Sequence, residues 1–84
     1  MDDVDTKILE AINTVSPKYF ISPIRVNEIL RLDITELGNR LILLKRSGHV
    51  DIMTSEYISS QTLPNFISKV HITESGRKCL KKKR

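Results

Sequence analysis

The chain has 84 residues, 39% of them apolar and 29% charged, with a formal net charge of +4 and one cysteine. That makes one soluble domain around one aliphatic core, too short for a second domain and too apolar for a disordered chain. No apolar run approaches the ~20 residues of a membrane span, the acidic opening MDDVD is unlike a signal or transit peptide, and a lone cysteine closes no internal disulfide, so an intracellular, cytoplasmic protein is expected.

Asp3 to Val15 reads as a first helix, because Val4, Ile8, Ile12 and Val15 recur at helical spacing. Asp2, Asp3 and Asp5 suit its N-terminus through capping and the helix dipole. Ser16-Pro17 breaks it, and Tyr19-Phe20-Ile21 reads as a brief extended run. Ser22-Pro23 is a helix start, an N-cap followed by proline at the first helical position. The second helix runs to about Leu30, with Val26, Ile29 and Leu30 facing inward. Two or three residues later Asp33 caps a third helix over 34–47. Glu36 completes an acidic capping box, and Leu32 with Leu37 forms a hydrophobic staple. Leu37, Leu41 and Leu44 make the buried stripe, and Ser47-Gly48 ends the helix.

After Gly48 the period changes to two. Val50 and Ile52 alternate with polar positions, as do Val70 and Ile72, which predicts an antiparallel hairpin. Val50 falls opposite Ile72, Ile52 opposite Val70 and Asp51 opposite His71 as a cross-strand pair. The tip falls near Ser60-Gln61-Thr62. Thr73-Glu74 then caps a short last helix, about 74–80, ahead of a frayed KKKR terminus.

Three pieces resemble winged-helix transcription regulators of the MarR, ArsR and PadR type: DITELGNRLILLKRSGHV, VHITESGRKCL, and SPIRVNEIL ahead of them. The first helix, VDTKILEAI, resembles the opening of Lrp-type regulators. The resemblance implies an α+β, mainly α fold: a winged helix-turn-helix with a three-helix core, a β-hairpin wing and a short C-terminal helix. Residues 1–80 would form the domain and 81–84 a basic tail. Three features depart from the pattern. Arg31 stands where the turn often has glycine, and the wing segment from Ser55 to Ser68 is long and poorly basic. The residues after Leu80 are fewer than the long dimerising helix of several of these families.

Lys81, Lys82, Lys83 and Arg84 carry the whole net charge, since residues 1–80 hold ten basic and ten acidic residues. Placement of charge therefore matters more than its sum. Opposite the leucine stripe of the third helix lie Thr35, Glu36, Asn39, Ile42, Leu43 and Arg46. In the resembling families the first half of that face enters the major groove of double-stranded DNA. Asn39 then suits adenine, Thr35 the thymine methyl and Glu36 cytosine, although Glu36 also serves the cap. Arg40, Lys45 and Arg46 suit phosphates, as do Ser22 and Arg25 at the start of the second helix. Arg40 also sits one turn from Glu36, within reach of an intrahelical pair. Ser59, Ser60, Gln61 and Lys69 would carry the wing's contacts, and Lys81, Lys82, Lys83 and Arg84 a non-specific one.

No nucleophile, base and orienter come together in the sequence, so no enzyme is expected. The spacing of His49, Asp51, His71 and Cys79 matches no compact metal motif, so neither metal nor cofactor is expected. The expectation is a repressor-like, sequence-specific DNA-binding regulator, nucleoid-associated and a homodimer on a palindromic site. Two other readings stay open. One is a winged-helix module that binds protein, and the other a non-specific nucleoid-type DNA-binding protein.

Overall fold

The computed structural model describes residues 2–82. Its elements run α1 (Asp3–Val15), α2 (Pro23–Leu30), α3 (Ile34–Arg46), β1 (Val50–Thr54), β2 (Ile67–Ile72) and α4 (Glu74–Lys82). Helices α1, α2 and α3 surround the core, the hairpin closes one side, and α4 packs on α1.

The Asp2 carboxylate caps α1 by accepting the Asp5 N–H at 2.9 Å. Ile8, Leu9, Ala11 and Ile12 are its buried residues, a wider arc than the predicted stripe, because α1 meets α2, α4 and β2 at once. Ser22 caps α2 as expected, with Pro23 in the first turn. Ile29 corrects the reading of this helix. It is 57% exposed and lines an open groove of about 420 Å³ with Lys7, Glu10, Ala11, Thr14 and Leu30. Eight residues give α2 little more than two turns, and Val26 and Pro23 are the positions that reach the core.

Arg31 ends α2 in the left-handed region at φ 56°, the conformation for which glycine is usual. The tight turn is held by Asn27. Its Nδ2 donates to the Leu32 carbonyl at 2.8 Å, and its Oδ1 accepts the Leu32 N–H at 2.9 Å. Asp33 then caps α3 by accepting the N–H groups of Thr35 and Glu36, both at 3.1 Å. The reciprocal half of the capping box is not formed, because the Glu36 carboxylate accepts from Arg40 instead. Helix α3 stops at Arg46, one residue short of the expected end, with Ser47 as C-cap and Gly48 at φ 82°.

The hairpin has the expected register: Val50 opposite Ile72, Asp51 opposite His71 and Ile52 opposite Val70. An irregularity between Met53 and Thr54 shifts the last pair to Thr54 and Ile67. Ile21 adds to the other edge of β2 through reciprocal hydrogen bonds with Val70, at 2.9 and 2.8 Å. That contact places Phe20 against His71, with ring centroids 5.2 Å apart. The expected Asp51–His71 pair is absent for this reason. Among the described residues His71 takes an aromatic neighbour, and its Nε2 is buried without a partner.

Residues 55–66 do not stand out as a free wing. Thr62 and Leu63 are buried, and the Ser22 hydroxyl donates to the Gln61 carbonyl at 2.8 Å. The return of this segment also explains Gly38 in the middle of α3. A Cβ there would lie 2.8 Å from Nδ2 of Asn65. That neighbour is the end of a flexible side chain, and alanine gains about 1 kcal/mol in helix propensity over glycine. Gly38→Ala is therefore expected to leave stability within about 1 kcal/mol of the parent in urea unfolding. A larger loss would mean that Asn65 cannot move aside.

Thr73 joins the hairpin to α4. Its hydroxyl donates to the Gly48 carbonyl at 2.6 Å and accepts the Gly76 N–H at 3.1 Å, while its own N–H donates to the His49 carbonyl at 3.1 Å. Helix α4 continues to Lys82, so Lys81 and Lys82 lie in its last turn and not in a frayed tail. Cations there suit the helix dipole. Lys83 and Arg84 lie outside the described residues.

Candidate nucleic-acid interface

Helix α3 is anchored by Leu37, Leu41 and Leu44, all buried. Thr35, Glu36, Asn39, Leu43 and Arg46 emerge on the opposite side and are exposed. Ile42 does not belong to that face. It is half-buried against the core, one turn on from Gly38. Thr35 and Asn39 share a shallow hollow of about 170 Å³ with Ile34, Pro64 and Asn65. The segment after the hairpin tip thus lies beside the exposed polar face without covering it.

Arg40 is half-buried and paired within the molecule. Its Nη1 lies 2.8 Å from Asp2 Oδ2 and 3.2 Å from Asp5 Oδ1, and its Nε donates to Glu36 Oε1 at 3.1 Å. The Glu36 pair was expected, whereas the two aspartates come from 38 and 35 residues away. These pairs occupy Nη1 and Nε of Arg40 and one oxygen of Glu36, so a phosphate at Arg40 or a base at Glu36 would compete with bonds that the molecule already makes within itself. Donating to the carboxylates of Asp2, Glu36 and Asp5 raises the Arg40 pKa well above its ordinary value.

The Asp5 backbone N–H and then the Arg40 guanidinium hold the Asp2 carboxyl below its ordinary pKa. A depressed carboxylate contributes stability above its unfolded pKa and loses it as pH falls through the folded one. The melting temperature is therefore expected to drop as pH falls below about 4. Asp2→Asn should lower stability at pH 7 and flatten that acid limb, since asparagine still caps a helix but carries no charge. Thermal melts between pH 7 and 3 check this. Parallel curves for parent and variant would remove Asp2 from the account.

At the start of α2 the expected free N–H groups are already used. The Ile24 N–H donates to Ser22 Oγ, and those of Arg25 and Val26 donate to the Ser22 carbonyl. The Ser22 hydroxyl is spent on Ile24 and Gln61, so it is a structural cap and not an open phosphate seat. The same contact gathers the wing residues next to it. Ser59 Oγ accepts the Gln61 N–H at 3.2 Å and lies 3.0 Å from Thr62 Oγ1. Arg25, Ser59, Ser60, Gln61 and Lys69 are exposed, and Lys69 stands opposite Met53 on the outer face of the hairpin. Lys45 and Arg46 are exposed in the last turn of α3. Lys81 and Lys82 belong to α4, a separate element.

Thr73 caps α4 as expected, its hydroxyl accepting the Gly76 N–H, whereas Asn27, Asn65 and the pairing of Asp2 and Asp5 with Arg40 left no mark in the motifs. Of these, Asn27 alone has a local signal outside the motifs, a weak helix former placed five residues before the carbonyl and N–H that it clamps.

No family model and no curated protein matches the sequence. Solved structures do. The oxidized form of MarR from E. coli is 21% identical with a TM-score of 0.72, over 98% of this chain and 52% of that one. A structure of the multiple antibiotic resistance repressor MarR is 18% identical, with a TM-score of 0.72 over 98% and 53%. A cysteine-to-serine mutant of MarR from E. coli is 20% identical, with a TM-score of 0.74 over 98% and 54%. This chain spans about half the length of the MarR chains it matches. The order α1-α2-α3-β1-β2-α4, the tight α2–α3 turn and these superpositions agree: the chain has a winged helix-turn-helix fold similar to that of MarR.

Proposed function

We propose that this chain is a sequence-specific regulator of transcription, repressor-like, that binds double-stranded DNA with α3 in the major groove. The observation that carries the reading is the exposed polar face of α3, Thr35, Asn39 and Arg46, on a helix capped at both ends and anchored by three buried leucines. Asparagine can pair with adenine through two hydrogen bonds, and the threonine methyl meets thymine. Lys45, Arg46 and Arg25 supply phosphate contacts, and Ser60, Gln61 and Lys69 extend them along the hairpin side. The similarity in fold to a protein named as a repressor supports the same reading. The working form would be a cytoplasmic, nucleoid-associated homodimer on a palindromic site. Lys81 and Lys82, with Lys83 and Arg84, would add sequence-neutral attraction.

Fluorescence titration against genomic fragments and random duplexes at several salt concentrations tests the proposal. The parent should retain its preference for one site as salt rises. Asn39→Ala should lose about tenfold of that preference with the salt slope unchanged, because a base contact and not a phosphate contact is removed. An unchanged preference would exclude Asn39 from base readout. Absence of binding at ~50 mM salt, where phosphate contacts are strongest, would overturn the whole reading. The exposed Leu43, Tyr57 and Ile58 favour a protein-binding module as the second reading in that event.

A further inference from the structure

Three costly features meet at one spot beside α3. Gly38 occupies the middle of the helix, where alanine has the higher propensity, and the Asn65 side chain lies against it. A Cβ at Gly38 would stand 2.8 Å from Nδ2 and 3.0 Å from Oδ1 of Asn65. That Oδ1 is buried and has no hydrogen-bond partner among the described residues. Phe66, next in the chain, has a φ of 69°, in the left-handed region that bulky side chains rarely enter. Two backbone bonds pin this turn: the Phe66 N–H donates to the Leu63 carbonyl at 2.9 Å, and the Leu63 N–H to the Ile67 carbonyl at 3.0 Å. Packing alone would favour an apolar side chain over Asn65, since a buried carbonyl oxygen without a donor is a net loss. Broken local rules gathered at one place point to function.

Asn65 shares a hollow of about 170 Å³ with Ile34, Thr35, Asn39 and Pro64. We propose that Asn65 is a positioning residue for base readout: as α3 enters the major groove, Asn65 Oδ1 accepts one N–H of the Asn39 carboxamide. An asparagine paired with adenine accepts from N6 through Oδ1 and donates one Nδ2 hydrogen to N7. The second Nδ2 hydrogen is unused in that pair, and Asn65 Oδ1 is an acceptor in the same hollow that lacks a donor. The bond fixes which end of the Asn39 amide faces N6. Turned by half a rotation, the amide would set its NH2 against the adenine amino group and its oxygen against N7. Gly38 serves the same end, because a missing side chain lets the loop amide approach the helix beside Thr35 and Asn39.

This role rests on the base contact proposed for Asn39, so Asn39→Ala is measured beside every Asn65 variant. The full chain is titrated by fluorescence against its preferred duplex and against duplexes in which each adenine in turn becomes guanine. Asn39→Ala should lose about tenfold of the preference for adenine and Asn65→Ala roughly fivefold. The double variant should lose no more than Asn39→Ala alone, since Asn65 acts through Asn39. Asn65→Asp keeps the acceptor, so its preference should stay within about twofold of the parent, while the added negative charge lowers affinity for every duplex alike. A merely structural Asn65 would lower affinity for all duplexes in Asn65→Ala and leave the preference intact. That result overturns the inference and leaves Asn39 as a reader. So does a double variant in which the two losses multiply, or Asn65→Asp as indiscriminate as Asn65→Ala. An unchanged preference in Asn39→Ala, or no binding by the parent, removes the base contact itself and this role with it.

Discussion

Gly76→Ala is expected to lower the melting temperature by roughly 12–24 °C, or about 3 kcal/mol at the usual conversion for a domain of this size. An alanine normally helps a helix by about 1 kcal/mol relative to glycine, so propensity alone predicts the opposite sign. Space decides. A Cβ at Gly76 would collide with the His49 carbonyl oxygen and lie 2.8 Å from the Ile72 side chain. The carbonyl is backbone and cannot rotate aside, because it accepts the Thr73 N–H and the neighbouring Gly48 carbonyl accepts the Thr73 hydroxyl. Relief requires α4 to move off the hairpin, which opens the contact between Ile72, Leu80 and α1. Native stability of a chain this size is roughly 4–13 kcal/mol, so one methyl group removes a large share of it. The contrast with Gly38→Ala makes the test specific, since both glycines are helical and buried but only Gly76 faces backbone. Equal melting temperatures for the two variants would remove the steric account.

Asn27→Ala should cost about 2–3 kcal/mol, a fall of roughly 10–20 °C. The substitution deletes two hydrogen bonds at once and leaves the Leu32 N–H and carbonyl partly buried without partners. Those groups sit in the turn that sets α3 against α2, next to an arginine already held at positive φ. Loss of the clamp therefore loosens the presentation of α3 as well as the fold. Amide exchange of Leu32 should become fast in the variant, while amides of α1 lose only the protection set by global unfolding. Asn27→Asp keeps the acceptor and loses the donor, and its stability should fall between the two. A melting temperature for Asn27→Ala within 2–3 °C of the parent, about 0.5 kcal/mol, would show that water replaces the amide without penalty.

Most of the local architecture was legible in the chain itself. Helix limits follow from capping residues such as Ser22, Asp33 and Ser47, because a cap bonds to backbone groups two or three residues away. Register follows from alternation, because a one-residue slip would turn Val50, Val70 and Ile72 to solvent. Arg31 stood out as a departure where the turn often has glycine, and its φ of 56° shows why glycine is usual there, while the brief extended run at Ile21 does join the sheet.

The partners of the polar side chains were a different matter. Arg40 looked like a surface cation, and only the docking of α1 beside α3 brings Asp2 and Asp5 to it. Ser22 looked like an open phosphate seat until the 55–66 segment returned to use its hydroxyl. His71 had Asp51 opposite in the ladder and took Phe20 instead. Sequence by itself determined the elements, where they start, their pairing and most of the exposed face of α3, since these rest on periodicity and on bonds a few residues long. Tertiary structure alone decided which charges are free and where the hairpin loop lies. Long, mobile side chains and loops choose among partners by proximity in space, and proximity between residues nearly forty positions apart leaves no trace in local pattern.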